Sequence, residues 1–107
     1  MGTYVSIYVT CAGRDEAKAI AHALVSEGLA ACANILPEVQ SIYRWQGQVE
    51  EAVECAFIAK TRQALAERAT ARIKEMHSYD VPCIVVWTIA AGYPPYLDWI
   101  EGETLSG

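Results

Sequence analysis

Four side chains that can bind a metal ion lie in two distant segments of the sequence. Cys11 ends the first strand-like run, and the loop before the last run holds His77, Asp80 and Cys83. If these two strands are antiparallel neighbours, the end of the first lies beside the start of the last. Thiolate and imidazole groups suit copper and zinc, so we predict a metal site with Cys11 and His77 as ligands. Cys83 is a candidate third ligand and Asp80 a weaker one.

Each of these residues can also be explained without metal binding. Cys11 fits equally well as a small apolar residue at a strand end, and Cys83 fits as a core residue. His77 follows a helix whose C-terminus favours a cation, which slightly favours a capping role over ligation. A Cys11–His77 pair could also activate a thiolate nucleophile. No Gly-x-Ser-x-Gly elbow, phosphate loop or dinucleotide fingerprint is present, so we expect no enzymatic activity.

Composition restricts the class of protein. The 107 residues suit a single domain, 1–107, with 53% hydrophobic and 20% charged residues. A net charge of −5 gives no support to a nucleic-acid or anionic-membrane partner. Because no apolar run reaches about 18 residues and no signal-peptide pattern occurs, we expect a cytoplasmic protein without a membrane span. The cysteines form no C-x-x-C pair, which favours free thiols, and we interpret Cys32 and Cys55 as packing residues.

Strand-like and helix-like segments alternate in the order β-α-β-β-α-β, followed by a short helix. The predicted segments are Tyr4–Thr10, Arg14–Glu27, Ala31–Trp45, Gln48–Lys60, Arg62–Met76, Cys83–Ile89 and Tyr96–Glu101. Thr61 is predicted to cap the second helix, and Pro37 to bend or bulge its strand or to place it at a sheet edge. The order predicts an α+β, ferredoxin-like fold with a four-stranded antiparallel sheet and both long helices on one face.

The two central strands are far longer than the usual strand of about 5–6 residues. As a hairpin they reach about 40–50 Å at 3.3 Å per residue, whereas helices of this length reach only about 22 Å. Much of the hairpin must therefore extend beyond its own domain, with Tyr43 and Trp45 near the tip. The helix-free face of the sheet would expose Trp87. These surfaces predict a homo-oligomer with Tyr43, Trp45 and Trp87 in the interface.

Five motifs occur in order over almost the whole chain. They are Ala31-Cys32-Ala33-Asn34-Ile35-Leu36-Pro37, Ser41-Ile42-Tyr43-Arg44-Trp45-Gln46-Gly47, Lys60-Thr61-Arg62, His77-x-Tyr79-x-x-Pro82 and Gly92-x-Pro94-x-Tyr96-Leu97-Asp98-Trp99-Ile100. In these motifs the chain resembles the CutA divalent-cation-tolerance proteins. The resemblance implies a ferredoxin-like fold assembled as a homotrimer through the long strands. It also implies a cytoplasmic role in divalent-metal tolerance, with copper as the ion most associated with the family.

The resemblance carries over to particular residues and leaves alternatives open. A cysteine that ends the first strand and a histidine before the last strand are ligands in the family, and they match Cys11 and His77. The trimer plan is shared with PII-type signalling proteins, whose ligands occupy clefts between subunits. One alternative is therefore a PII-like sensor of a small ligand, and another is a trimeric scaffold for partner proteins.

Four positions depart from the family pattern. Ser78 replaces the proline of a common His-Pro-Tyr sequence, and Glu38 replaces a glycine after Pro37. Met76 stands where some relatives have a second histidine, and Cys83 where a glutamate often follows the proline. A thiol in place of a carboxylate favours softer ions. These changes bear on the metal site and leave the predicted fold unchanged.

Overall fold

The computed structural model describes residues 3–106 as one antiparallel sheet with three α-helices. The elements are β1 (Tyr4–Cys11), α1 (Arg14–Ser26), β2 (Cys32–Trp45), β3 (Gln48–Arg62), α2 (Ala66–Met76), β4 (Ile84–Ile89) and α3 (Pro94–Gly102). The strand order is β2-β3-β1-β4, and every neighbouring pair is antiparallel. The predicted α+β, ferredoxin-like fold is confirmed.

One face of the sheet packs against α1 and α2 because the strand side chains alternate. On β1, Val5, Ile7, Val9 and Cys11 are all fully buried, while Ser6 and Tyr8 are partly exposed. The same core cluster includes residues from both helices, namely Ala17, Ile20, Ala21, Leu24, Ala66, Ala69 and Ile73. Period-two burial on the strand and helical spacing on the helices therefore produce one common core.

The start of the second helix differs from the prediction. Thr61 lies within β3 opposite Val5, and its buried hydroxyl has no hydrogen-bond partner among the described residues. Pairing with β1 keeps this backbone extended through Arg62, and a 3₁₀ turn, Gln63–Leu65, then leads into α2. The expectation that Thr61 caps the helix is therefore wrong, because strand pairing outweighs the local capping preference.

The long hairpin extends beyond the helices, as its length predicts. β1 pairs with β3 only from Cys55 to Arg62, so Gln48–Glu54 pairs with β2 alone. The molecule measures 44 × 25 × 22 Å. The pairing of β2 and β3 shifts register between Leu36 and Val39, which confirms the irregularity expected at Pro37. At the tip, Gln46 and Gly47 both have positive φ, as a tight two-residue turn requires.

Candidate metal centre

A cysteine, a glutamate and a histidine meet at one end of the sheet, on its helix-covered side. Cys11 ends β1, Glu16 lies in the first turn of α1, and His77 directly follows α2. Their potential ligand atoms all lie within 4.8 Å of one another, and this is the one such group of three found within residues 3–106. The fold thus brings Cys11 and His77 together across 66 positions of sequence. Their role as metal ligands stays a prediction.

Glu16 is a candidate ligand that the sequence pattern does not indicate. Its carboxylate accepts hydrogen bonds from the backbone N–H of Ala12 at 3.1 Å and of Ser78 at 2.8 Å. Burial alone would raise the pKa of Glu16, but these hydrogen bonds outweigh burial and lower it. The carboxylate is therefore ionised at neutral pH. One sequence feature could have indicated Glu16 as a ligand: it is an acid in the first turn of a helix that begins just after Cys11.

Both ring nitrogens of His77 are engaged. Nδ1 accepts a hydrogen bond from the backbone N–H of Tyr79 at 3.1 Å, which places the ring proton on Nε2. Nε2–H then donates to the carbonyl oxygen of Thr10 at 2.8 Å. His77 therefore ties the loop after α2 to the end of β1. A metal ion would have to displace one of these two hydrogen bonds to reach the ring.

The thiol of Cys11 is fully buried. Burial raises the pKa of Cys11 to about 12, and the negative charge of Glu16 adds to the effect. The thiol is therefore protonated at neutral pH, and a bound metal ion would have to displace that proton. When Cys11 and Glu16 are both ionised, the three groups carry two negative charges, which a divalent cation would balance. Their sulfur, oxygen and nitrogen atoms suit copper and zinc, so the residues fit such an ion.

Cys83 and Asp80 lie outside this cluster. Ile84 pairs with Val9 on the helix-covered face, so the residue before it, Cys83, falls on the opposite side. Both Cys83 and Asp80 are exposed and line a groove of about 710 Å³ between the hairpin and the loop before β4. The structure does not bring them to Cys11, and Cys83 as a third ligand stays a prediction. Glu16 occupies the place that the sequence assigned to Cys83.

The loop after His77 is held at a second point. The hydroxyl of Tyr79 donates to the carboxylate of Glu54 on β3 at 2.7 Å, and its ring packs 4.8 Å from the His77 ring. Burial, with the Glu54 carboxylate beside it, raises the pKa of Tyr79. The Tyr79 hydroxyl therefore keeps its proton and donates this hydrogen bond at any physiological pH. The cluster is positioned by β1, α1, β3 and the loop together.

The residues predicted for a subunit interface lie on the surface. The exposed fractions are 43% for Tyr43, 52% for Trp45 and 48% for Trp87. Trp87 also stacks on Tyr8, with ring centroids 5.2 Å apart, on the sheet face opposite α1 and α2, part of which α3 covers. Three large aromatic side chains in one chain are thus left about half in water. Their place in an interface stays a prediction.

Residues 5–103 match the family model described as "CutA1 divalent ion tolerance protein". The chain belongs to the CutA family. Among curated proteins, it is 44% identical over 98 residues to the divalent-cation tolerance protein CutA of Thermus thermophilus, covering 92% of this chain and 95% of that one. It is 40% identical over 100 residues to the protein "CutA, chloroplastic" of Arabidopsis thaliana, covering 94% of this chain and 55% of that one. The CutA chain described here thus spans little more than half the length of several relatives, including rice and mouse CutA.

Solved structures of CutA proteins have the same fold. CutA1 from Oryza sativa superposes with a TM-score of 0.95 at 36% identity, covering 99% of this chain and 97% of that one. The Thermus thermophilus protein superposes with a TM-score of 0.92 at 42% identity, covering 94% and 98%. A CutA from Archaeoglobus fulgidus is described as periplasmic. Among the described residues of this chain, no helix is long and apolar enough to cross a membrane.

Proposed function

We propose that this CutA chain is a non-enzymatic cation-binding protein that holds a divalent ion, copper above all and also zinc, between Cys11, Glu16 and His77. The observation that supports this most directly is the approach of three chemically suitable ligand atoms to within 4.8 Å of one another. Charge supports it as well, because the ionised thiolate and carboxylate match a divalent cation. Such an ion would supply a positive charge that keeps the Cys11 thiolate ionised.

A binding role is favoured over a catalytic one by the state of the same residues. A cysteine nucleophile needs a thiolate that substrate can reach and a base free to accept its proton. Cys11 is buried and its pKa is raised to about 12. His77 is hydrogen-bonded at both ring nitrogens. These features suit a site in which a metal ion displaces the proton of the Cys11 thiol. They do not favour nucleophilic attack by Cys11 on a substrate.

We also propose that the functional unit is a homotrimer with Tyr43, Trp45 and Trp87 in its interface. Large apolar side chains on the hairpin support this, with 71% of Ile42, 65% of Val49 and 62% of Val53 exposed. The outer strands β2 and β4 have free edges within the described chain, which offers further pairing to a neighbouring copy. We place the protein in the cytoplasm, because all four cysteines are free thiols and a reducing compartment preserves that state.

An anaerobic titration of the metal-free protein with Zn(II), Cu(II) and Cu(I) tests the cation site, with a chromophoric chelator as competitor. We expect Cys11→Ser, Glu16→Gln and His77→Ala each to weaken binding by about 10-fold to 100-fold or more. His22→Ala and Cys32→Ser are matched controls, since His22 is an exposed residue of α1 and Cys32 lies on the sheet face opposite α1 and α2, where its thiol contacts Tyr96 of α3. Wild-type affinity in both Cys11→Ser and His77→Ala would exclude this site.

The groove beside the hairpin favours a second candidate function, a PII-like sensor of a small ligand. Its volume of about 710 Å³ falls within the range typical of ligand sites, and its lining combines Tyr8, Tyr43 and Trp45 with the carboxylates of Glu54 and Asp80. Equilibrium dialysis of the assembled protein against a pool of metabolites and nucleotides tests this function. A pool that passes through unretained would remove it.

A further inference from the structure

Two buried cysteines face each other across neighbouring strands. Cys11 on β1 is the direct register partner of Cys55 on β3, and the exposed fractions of the two residues are 0% and 1%. Directly opposed residues of an antiparallel pair project from the same face of the sheet. Both cysteines belong to the core cluster under the helices, and both are free thiols. The chain therefore holds a dithiol in which one member is the proposed ligand Cys11.

The spacing of this pair permits a disulfide bond. Opposed Cα atoms in antiparallel strands are about 4.5 or 5.5 Å apart, depending on the hydrogen-bonding position. Disulfides join residues whose Cα atoms are about 4.4–6.8 Å apart, so both values are allowed. Their Cβ atoms must come within about 4.5 Å, the lower end of the cross-strand range, so closure needs only a small approach of the strands.

The surroundings of Cys55 allow that movement. Its S–H group, a weak donor, has the carbonyl oxygens of Leu36 at 3.4 Å and Ala56 at 3.9 Å as acceptors. Leu36 borders the bulge at which β2 and β3 shift register, so the ladder beside Cys55 is already irregular. Rotation of the Cys55 side chain toward Cys11 therefore breaks only weak hydrogen bonds. The resulting disulfide is uncharged and apolar, so its burial in the core leaves no charge unpaired.

We infer that Cys11 and Cys55 act together as a two-electron donor to a redox-active divalent ion of the Cu(II) class that reaches the cation centre. Two Cu(II) ions each accept one electron and become Cu(I), both S–H protons pass to water, and one S–S bond forms between Cys11 and Cys55. This step rests on the proposed function, because it requires the ion to reach Cys11. It adds a consequence, since oxidation removes the Cys11 thiolate from the ligand set. Zn(II) has no redox chemistry and leaves both thiols reduced.

Peptide mapping can identify this disulfide without ambiguity. Trypsin cleaves after Arg14, Lys18, Arg44, Lys60 and Lys74 among other sites, which places the four cysteines on four different peptides. A Cys32→Ser/Cys83→Ser background leaves only Cys11 and Cys55, and Cys55→Val in that background removes the second thiol at similar volume. Each protein is mixed with Cu(II) without oxygen, and Cu(I) is measured with bathocuproine disulfonate.

In the two-cysteine background we expect two Cu(I) ions and the loss of two thiols per chain, with the Cys11 and Cys55 peptides joined. The joined peptides should be lighter than the separate pair by two hydrogen atoms, and dithiothreitol should restore both. Cys55→Val should give at most half the Cu(I) and no joined peptide within one chain. Reduced Cys11 and Cys55 after Cu(II) treatment, or equal Cu(I) yields with and without Cys55, would overturn the inference.

Two further measurements separate this inference from the proposed function. Zn(II) affinity of Cys55→Val should equal that of its parent, because Cys55 is outside the cation cluster. A parent that binds neither Zn(II) nor copper refutes the proposed function itself. Diamide, a thiol oxidant without metal, should close the same disulfide and lower Zn(II) affinity. Closure by diamide but not by Cu(II) would overturn the electron transfer to copper, and no closure by either reagent would overturn the dithiol.

Discussion

At the scale of single residues, the cation centre contains groups that already serve the fold. Glu16 accepts two backbone N–H groups, and His77 joins Thr10 to Tyr79. Each group would exchange hydrogen bonds within the chain for a bond to the ion. Structural and metal-binding interpretations of His77 are therefore compatible, and measurements on metal-free protein can separate their contributions.

We predict that His77→Ala destabilises the metal-free protein by about 1–3 kcal/mol, because the Thr10 carbonyl and the Tyr79 amide lose their buried partner. Urea unfolding in the presence of a chelator measures the change. His22→Ala is the control, since His22 is exposed and its one side-chain hydrogen bond within residues 3–106 joins its ring to the nearby hydroxyl of Ser26 at 3.1 Å. A His77→Ala variant as stable as the control would show that these hydrogen bonds contribute nothing net.

The thiol of Cys11 gives a prediction for pH. With its pKa raised to about 12, Cys11 carries a proton at neutral pH that the metal ion must displace. Each unit of rising pH makes that proton about tenfold easier to remove, so apparent Zn(II) affinity should rise about tenfold per unit between about pH 6 and 8. Buffers that do not bind zinc, and a competing chelator of known pH dependence, make the measurement quantitative.

Cys11→Ser separates this effect from other titrations at the site. A serine hydroxyl is a poor zinc ligand, so the variant should bind Zn(II) more weakly. Its binding should also release one proton fewer, so the slope of log affinity against pH should fall by about one. An identical slope in wild type and Cys11→Ser would contradict a protonated Cys11 ligand.

At the scale of elements, the turn at the tip of the hairpin sets the pairing of its two strands. Gly47 has φ of 81°, and an added Cβ would meet no atom within 4 Å, so only backbone strain opposes a side chain there. We predict that Gly47→Ala lowers the free energy of unfolding by about 1–2 kcal/mol. Gly102→Ala is the matched control, since its Cβ also meets nothing and it lies in helix α3. Thermal melting compares the two, and equal changes would contradict a strained turn.

The sequence pattern predicts the helices and strands well. It fails where long-range strand pairing determines a residue's conformation, or where the register determines which face of the sheet a side chain occupies. Alternation in β1 and the length of the hairpin correctly indicate the sheet, and Pro37 correctly indicates an irregularity. Thr61 was misassigned because its pairing with distant β1 outweighs a local capping signal. The topology predicts that Cys83 and Cys11 lie at the same end of neighbouring strands. It does not show that Cys83 projects from the opposite face of the sheet, because that depends on the exact register, in which Ile84 pairs with Val9.

At the scale of the whole molecule, the shape of the chain limits how much of it one copy can cover. The chain measures 44 Å in its longest dimension, and residues 48–54 of β3 pair only with β2. No strand of the described chain lies on the far half of this hairpin to shield Ile42, Trp45 and Val49, which are 52–71% exposed. Such a surface favours association, because burying it removes apolar area from water.

Trp45 is the sharpest test of that association. We predict that Trp45→Ala costs about 3–5 kcal/mol per buried side chain if neighbouring copies bury it, and therefore lowers the melting temperature and promotes dissociation. Val25→Ala is the control, because Val25 is an exposed apolar residue of α1 and does not lie in the hairpin. Sedimentation of wild type should give the mass of three chains, with Val25→Ala unchanged and Trp45→Ala shifted toward the mass of one. A wild-type chain that sediments as a monomer at dilute concentration would contradict the trimer, because Trp45 would then be half exposed without any partner to bury it.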